Sequence, residues 1–286
     1  MASAAWRPLT PAGPASDRAI EWARSWNRRF VSELAELVRF PTVGADPRQA
    51  ADMRRCADWL ASHLSRIGLE HVGVLETGGP PVVYADWLRA PGKPTVLVYG
   101  HYDVQPAEPL GEWRTPPFEP AVRAGRIFGR GASDDKGQLF VHVKSVQSWL
   151  ATSGGLPLNV RFLIEGEEET GSAHLPEFLR RNRKRVQSDA AIVSDTPMAG
   201  EGIPAITYAL RGALSADIEL RGPVRDLHSG AFGGAVHNPL QAMCELIGSL
   251  HDHDGRVAIH GFMIVFASSR RVSAHSWRRR VRATSR

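Results

Sequence analysis

Cysteine is nearly absent from this chain: Cys56 and Cys244 are the only two among 286 residues. They stand far apart and in no metal-type spacing, which excludes a disulfide framework and a thiolate zinc site and leaves both as buried packing residues. Long apolar runs are missing too. No stretch approaches the roughly 18 residues a membrane span needs. The opening MASAAWRPLTPAGPAS has no apolar signal core, so a cytoplasmic protein without a membrane partner is expected. Acidic residues are absent from the last 24 positions, which hold seven arginines; without these the formal charge passes from +5 to −2. The basic pI therefore belongs to the tail, and the body is mildly acidic, which argues against nucleic acid as a partner. Interleaved aromatics, as single-strand binders use, are also lacking there apart from Trp277, beside Phe266 at the start of the stretch.

What is present is a regular alternation of helical and extended patterns. Residues 1–16 are Ala/Pro-rich and aperiodic, and are expected to be disordered. From Asp17, a candidate N-cap, to Val38 the apolar positions recur at helical steps, and a second helix is expected from Pro47 to Ile67. Extended runs are expected at 72–75, 81–87, 95–99, 159–164 and 190–193, with helices at 136–150 and 174–183. Strands as apolar as TVLVY and AAIV, separated by helices, predict an α/β fold: a mostly parallel sheet covered by helices on both faces. This catalytic domain is expected over 17–203. After Pro204 the run ITYALRGALSADIELRG reads as two strands and 239–250 as a helix, the first half of an inserted α+β lid or dimerisation domain over 204–262. Residues 263–286 break off that pattern and read as an aberrant Arg-rich end.

Open α/β sheets place ligands at strand ends, and the acidic residues of this chain gather there. His101 follows the strand TVLVYG, and Asp103, two residues on, shares its face in extended chain. Neutral imidazole is a good zinc ligand and a neighbouring carboxylate fixes its tautomer; alone, a strand-end histidine is more often structural. In GRGASDDKG the pair Asp134 and Asp135 precedes a helix. Two adjacent carboxylates repel phosphate, the P-loop pattern is absent, and the choices are a metal ligand or a helix cap. FLIEGEEETGS crowds Glu165, Glu167, Glu168 and Glu169 behind a buried strand, which is costly unless a cation or solvent neutralises them. Asp195 ends the strand AAIV as a ligand or a turn former. Together these residues form the nitrogen and oxygen donor set of two zinc ions about 3.5–4 Å apart.

The motifs GHYDVQP, Trp113 with PPFEP, GRGASDDKGQ, EGEEETGS, SDTP and RDLHSGAFGGAVHNP, in this order over residues 17–262, resemble the carnosinase/dipeptidase branch of the clan MH metallopeptidases, relatives of carboxypeptidase G, aminoacylase and succinyl-diaminopimelate desuccinylase. The resemblance implies a dinuclear zinc hydrolase that cleaves a peptide or amide bond with metal-bound hydroxide. It implies Asp134 as the bridging ligand, His101 and Asp195 at one metal, Glu169 at the other, Glu168 as general base and Asp103 as the residue orienting His101. It also implies a cis peptide between Asp134 and Asp135, a homodimer, and a role for His228 in the partner subunit's active site. Such proteins are considerably longer and use a late histidine at the second metal. The chain is thus expected to be C-terminally truncated, to bind at most one zinc ion and to turn over a dipeptide slowly. An N-acyl amino acid amidohydrolase and a non-catalytic remnant or interaction protein remain open as alternatives.

Overall fold

A computed structural model describes residues 13–200, 202–203, 205–207, 209–213 and 215–262. The expectations for residues 1–12 and for the Arg-rich end lie outside these. The chain divides into two units, with the boundary between residues 207 and 208.

The first unit begins with α1 (Pro14–Ser25) and α2 (Asn27–Val38). Two helices stand where one was expected, because the chain leaves helical geometry at Trp26, with φ −98° and ψ 4°. The apolar period runs through this break without a register shift, so the pattern could not reveal it. Helix α1 also starts earlier than expected, capped by Gly13 rather than Asp17, which sits in its first turn. Helix α3 (Ala50–Arg66) follows a 3₁₀ turn, Pro47–Gln49, whose first free N–H is taken by the Asp46 carboxylate. Three strands come next: β1 (Glu70–Leu75), β2 (Val82–Trp87) and β3 (Thr95–His101). A small hairpin, β4 (Ala121–Arg123) and β5 (Arg126–Phe128), was not expected. Its two-residue turn puts Ala124 at φ 49° and Gly125 at φ 75°, the geometry in which glycine is favoured. Then come α4 (Lys136–Ser153), β6 (Asn159–Glu165), α5 (Leu175–Arg181), α6 (Arg183–Val186) and β7 (Ala190–Val193).

The central sheet has the order β1-β2-β6-β3-β7. Strand β6 pairs in parallel with β3, and β3 with β7, whereas β2 is antiparallel to both β1 and β6. Only β2 is reversed, so the sheet is mostly parallel in strand direction. Alternation then sorts the side chains. Val83, Ala85, Phe162 and Ile164 face the larger core with Leu60 and Leu64 of α3 and Phe140 and Val143 of α4, while Val82 and Leu163 meet Phe178 of α5 on the other face. Burying each large apolar side chain contributes roughly 1.5–3 kcal/mol, which fixes both layers and leaves the C-terminal ends of β3, β6 and β7 at one edge. No helix among the described residues is long and apolar enough to cross a membrane.

In the second unit, α7 (Ser229–Phe232) and α8 (Pro239–Ser249) are formed, the latter capped by the Asn238 side chain on the Leu240 N–H. The two strands expected within 205–221 are not present among the described residues. Ile206 and Leu210 there are 92 % and 82 % exposed; an alternating pattern with no covering face and no paired backbone has nothing to hold it extended in a sheet. Cys56 is buried as expected, but Cys244 is exposed on α8.

A buried polar cluster braces α2, α3 and α4. The Lys144 ammonium donates to the Glu33 carboxylate, to Nε2 of His63 at 2.7 Å and to Oε1 of Gln147 at 2.8 Å. Burial and then the Lys144 charge push the His63 imidazole down to about 4. His63 therefore protonates more readily in the unfolded chain, which takes up more protons between pH 6.5 and about 4; stability is lost as pH falls through that window. Thermal melts in chelator from pH 7 to 4 are expected to fall more steeply for the unaltered chain than for His63→Gln, with a difference on the order of 2 kcal/mol. Parallel curves would refute this role for His63.

Candidate metal centre

The site grows from the end of β3. His101 closes that strand opposite Glu165 of β6, and its ring and the Asp103 side chain have no exposed surface. Nδ1 of His101 lies 3.1 Å from the Asp103 carbonyl oxygen and 3.3 Å from its Oδ1. With one proton drawn to that side, Nε2 is the ring atom turned toward the site, to carry a second proton or, without it, to offer a lone pair. The Asp103 carboxylate in turn accepts the backbone N–H groups of Glu168 at 3.3 Å and Glu169 at 3.0 Å. The loops after β3 and β6 are thereby joined through one buried carboxylate.

Nε2 of His101 is buried and has no hydrogen-bond partner. Oxygens of three carboxylates surround it: Asp134 at 3.2 Å, Asp195 at 3.6 Å and Glu168 at 3.9 Å. Donor atoms of His101, Glu168 and Asp195 all lie within 4.8 Å of one another. Two ligand atoms each about 2.0–2.1 Å from a tetrahedral zinc stand about 3.3 Å apart, so the separations from Nε2 to Asp134 and to Asp195 each suit a shared ion, while Asp134 stands outside the group whose donor atoms all lie within 4.8 Å. A buried ring nitrogen facing only carboxylates is a cation site by its chemistry, for a proton or a metal, and the nitrogen and oxygen donors fit zinc.

Asp134 and Asp135 lie between the hairpin and α4 and are joined by a cis peptide, as the resemblance implies. Asp135 is buried beneath the site, where its Oδ2 accepts the His101 N–H at 3.2 Å. Gly100 permits this approach, since a Cβ there would stand 2.7 Å from that oxygen. Lys136, fully buried, donates to the carbonyls of Leu37 and Phe40 at 3.2 and 2.8 Å and so ties the start of α4 to the end of α2.

The four glutamates behind β6 divide their tasks. Glu165 is buried and accepts from Tyr99 and Ser172. Glu167 accepts the His174 N–H and meets its ring at 2.9 Å. Glu168 turns to His101, whereas Glu169 accepts from the Gln105 amide at 2.7 Å and belongs to no metal-sized cluster among the described residues. Gln105 is not among the residues the sequence pattern singles out, yet it follows His101 and Asp103 at the same two-residue step, a usable signal. Lys136 is not singled out either, and nothing in the string DDK tells that Asp135 and Lys136 are the buried ones.

The electrostatics reflect the surplus of anions. Burial opposes charge on His101, but the bond to Asp103 and the nearby carboxylates outweigh it and raise the imidazole to about 10. Burial raises the Asp135 carboxyl to about 7, with Asp195 and Asp134 adding to the shift against the opposing pull of His101. Burial, aided by neighbouring acids, also raises Glu168. His228 lies in the second unit, exposed, with its Nδ1 accepting the Gly230 N–H at 3.1 Å.

Comparison with known proteins agrees with this chemistry. The Cys-Gly metallodipeptidase dug1 of Schizosaccharomyces pombe is 35% identical over 246 residues, 82% of this chain and 52% of that protein. The human Beta-Ala-His dipeptidase is 35% identical over 246 residues, 81% of this chain and 48% of its own. Among solved structures, the di-peptidase Dug1p of Saccharomyces cerevisiae superposes with a TM-score of 0.66 at 29% identity, covering 86% of this chain and 54% of that one. The chain thus spans about half the length of the curated relatives it matches. The profile of Peptidase family M20/M25/M40 matches residues 97–274, a span that opens in β3 and takes in every residue gathered around His101, and the chain belongs to that family.

Proposed function

We propose that this chain carries the hydrolytic centre of a zinc-dependent dipeptidase. The observation that supports it most is the buried, unpartnered Nε2 of His101 facing the carboxylates of Asp134, Asp195 and Glu168. Bound zinc supplies Lewis acidity there, polarising a scissile carbonyl and making water acidic enough to attack near neutral pH. His101, Asp134 and Asp195 would hold the ion, and Asp103 keeps the His101 ring in place. Glu168 takes the proton of the attacking water and hands it to the leaving amine. Glu169 would serve a second ion together with Asp134. Its engagement by Gln105, and the single imidazole at the cluster among the described residues, favour at most one tightly held ion per chain and slow turnover. The substrate class is an unblocked dipeptide, as in the names of the Cys-Gly and Beta-Ala-His dipeptidases it resembles.

His228 is assigned to the partner subunit's centre in a homodimer, where it polarises the substrate carbonyl. Its Nδ1 is used as an acceptor from Gly230, which leaves the neutral ring protonated on Nε2, the tautomer able to donate to a carbonyl oxygen.

Titration of the metal-free chain with zinc is expected to give no more than one tight equivalent, lost in His101→Ala. Two tight equivalents, or binding indifferent to His101→Ala, would overturn the assignment. Zinc-dependent hydrolysis of a dipeptide should drop about 10²-fold or more in Glu168→Gln while zinc content stays the same; loss of zinc instead would make Glu168 a ligand rather than the base. Sedimentation equilibrium should return a dimer, and His228→Ala should lower turnover without altering mass or zinc content. A monomer that retains full turnover would exclude the shared site.

A further inference from the structure

Of the residues around His101, Asp195 has the least substantial mount. It lies two residues beyond β7, a four-residue strand at the edge of the sheet, paired only with β3 and exposed along its length. Residues 194–199 have no regular structure, and within them the Thr196 N–H folds back on the Ser194 carbonyl. A short edge strand with little side-chain cover opens easily, yet the Asp195 carboxylate has to stay within 3.6 Å of His101 Nε2. Apart from the approach of Asp195 itself to His101, one side-chain hydrogen bond among the described residues ties this segment to the interior: His142 Nε2 and the Ser194 hydroxyl lie 2.6 Å apart. His142 is partly buried on α4, the helix that begins directly after Asp134 and Asp135 and is anchored by Lys136 to the end of α2. The same helix packs against β3, where Leu139 lies beside Gly100. Helix α4 is thus a common frame: its N-terminal end fixes Asp134, and a side chain further along it holds the residue next to Asp195.

We propose that His142 is a positioning residue which, through its hydrogen bond to Ser194, holds the Asp195 carboxylate against His101 and so sets the zinc affinity of the centre without being a ligand. This rests on the metal reading given above. It differs from a purely structural role, because loss of the contact should loosen the ligand and leave the core of the first unit, made by α3, α4 and the sheet, unchanged.

The test measures zinc affinity of the full metal-free chain by competition with a chromophoric chelator, alongside circular dichroism and thermal melting in chelator. His142→Phe and Ser194→Ala are each expected to weaken zinc binding about 10- to 100-fold, the range typical of residues that orient metal ligands. The double variant should be no weaker than either single one, and His142→Gln, whose amide can reach the same hydroxyl, should recover most of the affinity. Unchanged affinity in both single variants, or losses that simply multiply in the double one, would overturn the proposal. Should His142→Phe lose its fold, Ser194→Ala decides alone, since it removes one hydroxyl from a loop. His101→Ala separates the two levels. If the unaltered chain binds no more tightly than His101→Ala, the metal reading fails and the clamp with it; if it binds tightly and only the clamp variants are silent, the clamp alone fails.

Discussion

A carboxylate with no exposed surface, Asp103, is the constraint on which the site depends. Leaving such a group unpaired costs several kcal/mol. It is satisfied by the N–H groups of Glu168 and Glu169 and by the neighbouring His101 ring. Meeting that demand settles three things at once. The imidazole is oriented, its free nitrogen is aimed away from Asp103, and the turn after β6 is brought against the end of β3. Parallel pairing of β3 with β6, which sets His101 opposite Glu165, puts the two loops within reach; the buried charge then locks them.

The second consequence is an excess of negative charge. Asp103, Asp134, Asp135, Glu168 and Asp195 stand near one imidazole, and at Asp103 and Asp135, which are buried, little water is left to screen the charge. In the protein alone this shows as a histidine raised to about 10 and an aspartate raised to about 7. Protons are the cations available to such a cluster when no other is bound. A divalent ion competes for the same positions, so the carboxylates that hold a proton on His101 are those that would hold a metal in its place.

Much of this was legible in the sequence. The strands of the central sheet were, because buried parallel strands are continuous apolar runs, and the residues after them read as candidate ligands because strand ends converge on one edge. Other features are set by tertiary context. The kink at Trp26 leaves the helical period intact, so pattern alone reads one helix. The hairpin at 121–128 has strands of three residues, shorter than any window that can register alternation. Residues 205–221 alternate well but have no covering face among the described residues, so the pattern is there without the sheet. Within the glutamate cluster composition signalled a crowd of anions, but which of them are satisfied by neighbours was not legible: Glu165 accepts from Tyr99, on a different strand, and from Ser172, and Glu167 meets His174.

The remaining two glutamates show how adjacent, identical residues acquire different environments. Glu168 to Thr170 form a single 3₁₀ turn, in which successive side chains project about 120° apart. With both backbone N–H groups fixed on Asp103, Glu168 and Glu169 cannot reach one point. Glu168 faces His101, and Glu169 faces Gln105, which follows His101 by four residues on the same extended stretch. Each carboxylate thus meets a different residue of the segment HYDVQ, one an imidazole and the other an amide. At 3.9 Å the imidazole makes no hydrogen bond to Glu168 and leaves its oxygens free for a cation or a proton, whereas the Gln105 amide occupies one Glu169 oxygen and leaves the other. The local turn, not the residue type, therefore decides which glutamate stands beside His101.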